Sequence, residues 1–217
     1  LELETNEKFD KLSLEDILTK HLNIDNSINS KIKPFRYFDA YLKQGYYPFY
    51  KEDTDLYEQR IEEIINMMLE IELPLLRGVA IGLVQKIKQL LAIISESVPF
   101  IPNVAALSQK MTMHRTTLMT YLHYLEEVGL TINLQKQANG SVKLQKPAKI
   151  YLENTNLMHA LSPTNTNVGN ARETFFANQV GFKNKVRYHE KTDFLVNNLY
   201  AFEIGGKDKT NKQILNI

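Results

Sequence analysis

The chain contains no cysteine. It can therefore form no disulfide, offers no thiolate nucleophile and cannot build a cysteine-ligated zinc site. Its five histidines, His21, His114, His123, His159 and His189, never fall at an HxxxH or HExxH spacing, which removes the usual helical zinc motifs. None of its nine glycines forms a GxGxxG or a G-x-x-x-x-G-K-[ST] loop, since Gly205-Gly206-Lys207 is followed by Asp208. This polypeptide thus has no phosphate-cradling loop and is not expected to hydrolyse nucleotides. No Ser/His/Asp arrangement follows from spacing. No apolar run reaches membrane-spanning length, and no basic-then-apolar leader opens the chain. A reducing, cytoplasmic setting without membrane partners is the expectation.

What is present is ample apolar material. The 217 residues are 43% hydrophobic, 10% aromatic and 24% charged, enough for one large or two to three small cores and too apolar for disorder. The formal net charge of +1 conceals a strong asymmetry. Residues 1–73 carry 9 Lys and Arg against 16 Asp and Glu, net −7. Residues 74–150 carry 9 against 3, net +6, and residues 151–217 carry 8 against 6, net +2. A basic segment behind an acidic one points to a polyanion as partner of the middle third.

The first third reads as helices. Ser13 caps a short helix through Lys20, with Leu14, Ile17 and Leu18 on its apolar face. Asn23 to Ser30 has the composition of a loop. Pro34 opens a helix bearing Phe35, Phe38, Tyr41 and Leu42, and Gly45 ends it before an aromatic turn, Tyr46 to Tyr50. A longer helix from about Asp55 to Leu73 turns Ile61, Ile64, Ile65, Met68 and Leu69 inward, and Pro74 marks the next boundary.

The middle third has a recognisable order. Val84, Ile87, Leu90, Leu91 and Ile94 form a helical stripe. Asn103 caps a short helix to Met111, and a break at Thr112 to Arg115 leads to a helix with Leu118, Leu122 and Leu125 inward, ending at Gly129. The period then changes to two in Ile132 and Leu134, and again in Val142 and Leu144, on either side of the hairpin signal Asn139-Gly140. Helix, short helix, turn, longer helix and hairpin is the order of a winged helix-turn-helix, which offers the start of its second helix to the DNA major groove. The candidate DNA contacts are His114, Arg115, Thr116 and Thr117 on that helix, with Lys136, Lys143, Lys146 and Lys149 on or beside the hairpin. A winged helix that packs on protein instead is the competing reading.

The last third is α/β in character. A strand at Lys149 to Leu152, a helix at Thr155 to Leu161, a loop at Ser162 to Asn170 and a helix at Arg172 to Val180 precede three strand-like runs. These are Lys185–Tyr188, Thr192–Val196 and Leu199–Ile204, the last two joined at Asn197-Asn198. Asp193 opens one strand, Glu203 closes the next, and Glu173 lies on the helix before them. Carboxylates at one end of neighbouring strands can hold Mg²⁺ or Mn²⁺, which activates water against a phosphodiester, with a lysine stabilising the developing charge. Solvated charge beside a glycine-rich turn is the plainer alternative.

The runs Phe35-Arg-Tyr-Phe-Asp-Ala-Tyr-Leu-Lys-Gln-Gly-Tyr-Tyr-Pro48, Ser97-Val-Pro-Phe-Ile-Pro-Asn103, Thr117-Leu-Met-Thr-Tyr-Leu-His-Tyr-Leu-Glu126 and Lys149-Ile-Tyr-Leu-Glu-Asn-Thr-Asn-Leu-Met158 resemble a large family of prokaryotic AAA+-type ATPases. So do Asn170-Ala-Arg-Glu-Thr-Phe-Phe-Ala-Asn-Gln179, Asp193-Phe-Leu-Val196 and Phe202-Glu-Ile-Gly-Gly-Lys207. The resemblance implies a helical lid-like segment at 1–73, a winged helix at 74–148 and an incomplete nuclease-like domain of the PD-(D/E)xK type at 149–217. It also implies an ATP- and Mg-binding P-loop domain upstream, as the partner of this region. The nuclease pattern carries over to Glu173, Asp193 and Glu203, with Asp193 and Glu203 nearest any metal. The lysine expected two positions after Glu203 is Gly205 here, and Lys207 stands two further on. The expected fold class is mostly α, then α/β.

Overall fold

The computed structural model describes residues 2–136, 145–164 and 167–205. It is mostly helical, with two small antiparallel sheets. Helices α1 (Glu2–Thr5) and α2 (Leu14–Lys31) lead into α3 (Phe35–Gln44), a 3-10 turn at Pro48–Lys51 and α4 (Tyr57–Met67). A π-helical turn, Met68–Glu72, joins α4 to α5 (Leu73–Arg77). Then come α6 (Ile81–Ser95), α7 (Val104–Lys110), α8 (Arg115–Glu127), β1 (Thr131–Leu134) and β2 (Lys149–Leu152). The chain continues through α9 (Thr155–Leu161), α10 (Val168–Gly181), β3 (Val186–Tyr188), β4 (Phe194–Val196) and β5 (Tyr200–Phe202).

Two local expectations are corrected. The Asn- and Ser-rich stretch 23–30 is helical, because α2 continues to Lys31 past a kink at Lys20 (φ −123°, ψ 15°). Its polar side chains close hydrogen bonds along the helix, Asn29 Nδ2 donating to Asp25 Oδ1 and Ser30 Oγ to the Ser27 carbonyl. Ser13 does cap it, in a reciprocal capping box with Asp16. Second, Pro74 does not end its helix. The wide π-turn just before it accommodates a residue that lacks an N–H and crowds the preceding carbonyls, and the helix stops at left-handed Gly78. Strand β1 pairs with β2; the expected strand around Val142 and Leu144 and the hairpin signal Asn139-Gly140 lie outside the described residues. Helix α5 spans positions 73 and 74, and β2 begins at Lys149.

The core follows the apolar periods closely. Ile61, Ile65 and Leu69 of the α4 run, the α6 stripe, and Leu118, Leu122 and Leu125 of α8 are all buried. Helix α8 ends in a paired-bond cap: Leu130 N–H donates to the Leu125 carbonyl and Gly129 N–H to that of Glu126, with Gly129 at φ +71°. That cap turns the chain into β1. On β2, Ile150 and Leu152 belong to this same buried cluster, and Phe100 forms a two-way backbone bridge with Ile150. The segment between α6 and α7 is thereby fastened to β2.

The second sheet runs β3-β4-β5 in chain order. Asn197 and Asn198, both with positive φ (54° and 58°), make the tight β4–β5 turn, as the asparagine pair led one to expect. Phe194 is fully buried against Tyr151 and Phe176. The sheet is tied to the β1 end by Tyr188 N–H donating to the Gln135 carbonyl.

Candidate functional site

The first candidate surface is the start of α8. Helix α7 begins at Asn103, whose side chain accepts from Ala106 N–H. The connection to α8 passes through Thr112 at φ 49°, and Lys86 of α6 donates to its carbonyl at 3.4 Å. His114 occupies the N-cap position of α8, yet its side chain makes no capping bond. The first-turn N–H groups of α8 therefore have no side-chain cap, and His114, Arg115 and Thr116 are exposed while Thr117 is half-buried. Such an end combines unsatisfied donors, a positive helix pole and a guanidinium.

The lysines expected around the hairpin divide into different environments. Lys146 is exposed, and Lys143 lies outside the described residues. Lys136 is exposed but bound: its ammonium sits 2.8 Å from Glu190 and over the Tyr188 ring. Lys149 departs most from its expected position, being part-buried between two carboxylates. The reason is the period of a strand. Lys149 and Tyr151 share one face of β2, the face turned towards α10 and the second sheet, and Ile150 and Leu152 alternate to the other.

That placement brings part of the acidic set together. The Lys149 Nζ lies 3.7 Å from Glu173 Oε2 and 3.5 Å from Asp193 Oδ1. Tyr151 donates its phenolic hydrogen to Glu173 Oε2 at 2.7 Å, and Ile204 N–H donates to Asp193 Oδ2 at 2.8 Å. The side chains of Lys149, Glu173 and Asp193 are only 16%, 16% and 13% exposed. Burial, reinforced by the Glu173 bond, raises the Tyr151 phenol far above its ordinary range and keeps it a donor. Glu203 follows β5 and, by continuation of the β4–β5 register, stands opposite Asp193. Among the described residues no three His, Asp or Glu side chains form a group able to hold a metal. Lys207 lies outside the described residues.

A third site carries no signal in residue spacing. A cleft of about 520 Å³ opens between β1, the end of β2 and α10, lined in part by Tyr46, Glu126, Asn133, Glu153, Asn178 and Asn184. Asn133 N–H donates to Glu126 Oε1, and Asn178 Nδ2 donates to Glu153 Oε1. Burial pushes Glu153 up to about 7, with the Glu126 charge adding to the rise. Burial also raises Glu126. The one hint available to a reader of the sequence was Glu153 itself, a charge set within the otherwise apolar and amide-rich run from Ile150 to Met158.

Beside these sites the fully buried Asn156 fastens distant parts of the chain. Its Nδ2 donates to the carbonyls of Tyr41 and Leu42, and its Oδ1 accepts from Tyr46 N–H and the Tyr57 hydroxyl. All four partners lie between α3 and the start of α4. No curated protein and no solved structure matches the chain. A family model described as "Domain of unknown function (DUF8612)" matches residues 35–168, from the start of α3 past the end of α9. That span holds Asn156, all its partners and the whole of α4 to β2, covers more than half of the chain, and makes the chain a member of this family.

Proposed function

We propose that this chain is the non-catalytic C-terminal region of an AAA+-type ATP-binding protein, and that residues around α7 and α8 contact DNA. The observation carrying the DNA reading is the uncapped, exposed start of α8, with His114, Arg115 and Thr116 on it. It stands on a packed base: α6 and α8 share one buried cluster, and the Phe100–Ile150 bridge fastens the segment between α6 and α7 to β2. Helix, bridge, helix, turn, helix and two strands is the order that supports a winged-helix reading. Exposed Lys146 remains a candidate phosphate contact, as does Lys143, which lies outside the described residues; Lys136 and Lys149 are engaged with carboxylates. ATP and Mg would belong to a separate P-loop domain, and a cytoplasmic setting suits a DNA-contacting ATPase. No helix among the described residues is long and apolar enough to cross a membrane.

The test is duplex binding measured across a salt series by fluorescence anisotropy. Binding should weaken steeply with salt, and neutralising Arg115 and Lys146 together should lower affinity at every salt concentration. Unchanged affinity in that double variant rejects the reading. A protein-docking role for the same region has its own support in an apolar stripe on the outer side of the α4–α5 run. Met67, Ile71, Leu75 and Leu76 are all exposed there, with Ile81 beyond the turn. Salt-insensitive capture of the purified P-loop domain, without DNA affinity, would favour that role.

A further inference from the structure

The acidic set at Glu173 and Asp193 invites a divalent metal, and the donor chemistry around it argues otherwise. A bound Mg²⁺ or Mn²⁺ would need carboxylate oxygens converging on one point with room for several waters. Here the point between the two carboxylates is taken by the Lys149 ammonium, within 3.7 Å of Glu173 and 3.5 Å of Asp193. The same Glu173 oxygen accepts from Tyr151, and the other Asp193 oxygen accepts from the Ile204 backbone. A divalent ion placed here would meet a fixed positive charge a few ångströms away, inside a part-buried site where charges are weakly screened.

We infer that Lys149 is the resident cation of this site: it closes the Glu173–Asp193 pair to divalent metal and clasps β2 to α10 and the second sheet. Two more ties flank the clasp. The Gln135 carbonyl accepts from Tyr188, and Lys136 pairs with Glu190. Both ends of the segment that leaves β1 and returns at β2 are thus fastened to the β3–β4 region. The acids serve to hold strand β2 in place, and the inference stands independently of whether the chain binds DNA.

Manganese alone, titrated into the full chain and followed by the electron paramagnetic resonance signal of free Mn²⁺, tests it. The wild-type chain should take up no stoichiometric Mn²⁺ at this site, so that Asp193→Asn leaves the titration unchanged. Lys149→Met and Lys149→Gln remove the ammonium and should each create one Mn²⁺ site at least tenfold tighter than any wild-type uptake. Adding Asp193→Asn to either should abolish that gain. Circular dichroism establishes which Lys149 variant is folded, and the glutamine variant retains a polar group should the methionine one unfold. A wild-type site for one Mn²⁺ that vanishes in Asp193→Asn overturns the inference. So does a folded Lys149 variant that gains no Mn²⁺ site, because Lys149 would then not be what keeps metal out.

Discussion

The phenol of Tyr57 donates to the side-chain oxygen of Asn156, across a sequence separation of 99 positions, and both residues are sealed from solvent. Burial raises the Tyr57 phenol well above its ordinary range, which favours the protonated, donating form. Asn156 has two donors and one accepting oxygen, and each side of the amide is used. Neither orientation of the amide is interchangeable with the other, since its partners are two carbonyls on one side and two donors on the other.

Asn156→Ala should therefore lower unfolding free energy by about 3 kcal/mol, because it leaves buried carbonyls and donors without partners. Urea denaturation followed by circular dichroism measures it. Asn29→Ala, which removes an amide bonded to Asp25 on the exposed part of α2, should change stability by less than about 0.5 kcal/mol.

The Glu126–Glu153 cleft makes stability depend on pH with a definite sign. Both carboxyls hold their protons more tightly in the fold than in the unfolded chain. Their contribution is complete below the ordinary value of 4.5 and is lost as pH rises through the folded value, about 7 for Glu153. Glu153→Gln should thus melt at a higher temperature than wild type at pH 8, with the difference shrinking towards zero near pH 4.5. Thermal unfolding at several pH values reads this directly, and an offset equal at all pH values would contradict it.

Much of this architecture was legible because its causes are local. The spacing of Leu118, Leu122 and Leu125, the cap at Asn103, the stop at Gly129 and the turn at Asn197-Asn198 each act within a few residues, and each is found as read. What escaped reading depends on partners far along the chain. Nothing near Thr131 says that it will pair with Leu152, 21 positions further on. Pro74 looks like a stop until a π-turn makes room for it. Lys149 looks like a surface lysine, as its neighbour Lys146 is, while strand alternation and the acids beside it on α10 and next to β4 decide otherwise. Glu126 sits beside Glu127 in the sequence, and only the fold sets the first in the lining of the cleft and pairs the second with Arg77.

On duplex DNA, Arg115 and Lys136 should behave differently despite carrying the same charge. Arg115→Ala is expected to weaken binding and to flatten the plot of log affinity against log salt by about one unit. Lys136→Ala should change both much less, because Glu190 already neutralises that ammonium. Equal effects from the two substitutions would contradict the placement of the contact surface at α8.

Leu122 is 1% exposed in the middle of α8. Leu122→Ala should cost about 2 to 5 kcal/mol, through lost burial and the cavity left behind. Equilibrium unfolding supplies the measurement, and a loss under 1 kcal/mol would mean that α8 is not packed as described.

The bridge from Phe100 to Ile150 and the grip of Asn156 on the α3–α4 turn also bear on how the chain is made. Ribosomes deliver residues from the N-terminus at roughly 5–20 per second. Ile61, Leu90 and Leu118 therefore emerge well before Ile150, Leu152, Leu157 and Met158, which complete the same cluster. For several seconds, on the order of 5 to 20 for the earliest of these helices, their apolar faces wait for a lid that has not yet been translated. Nascent chains halted before residue 149 are the ones that chaperones would find sticky.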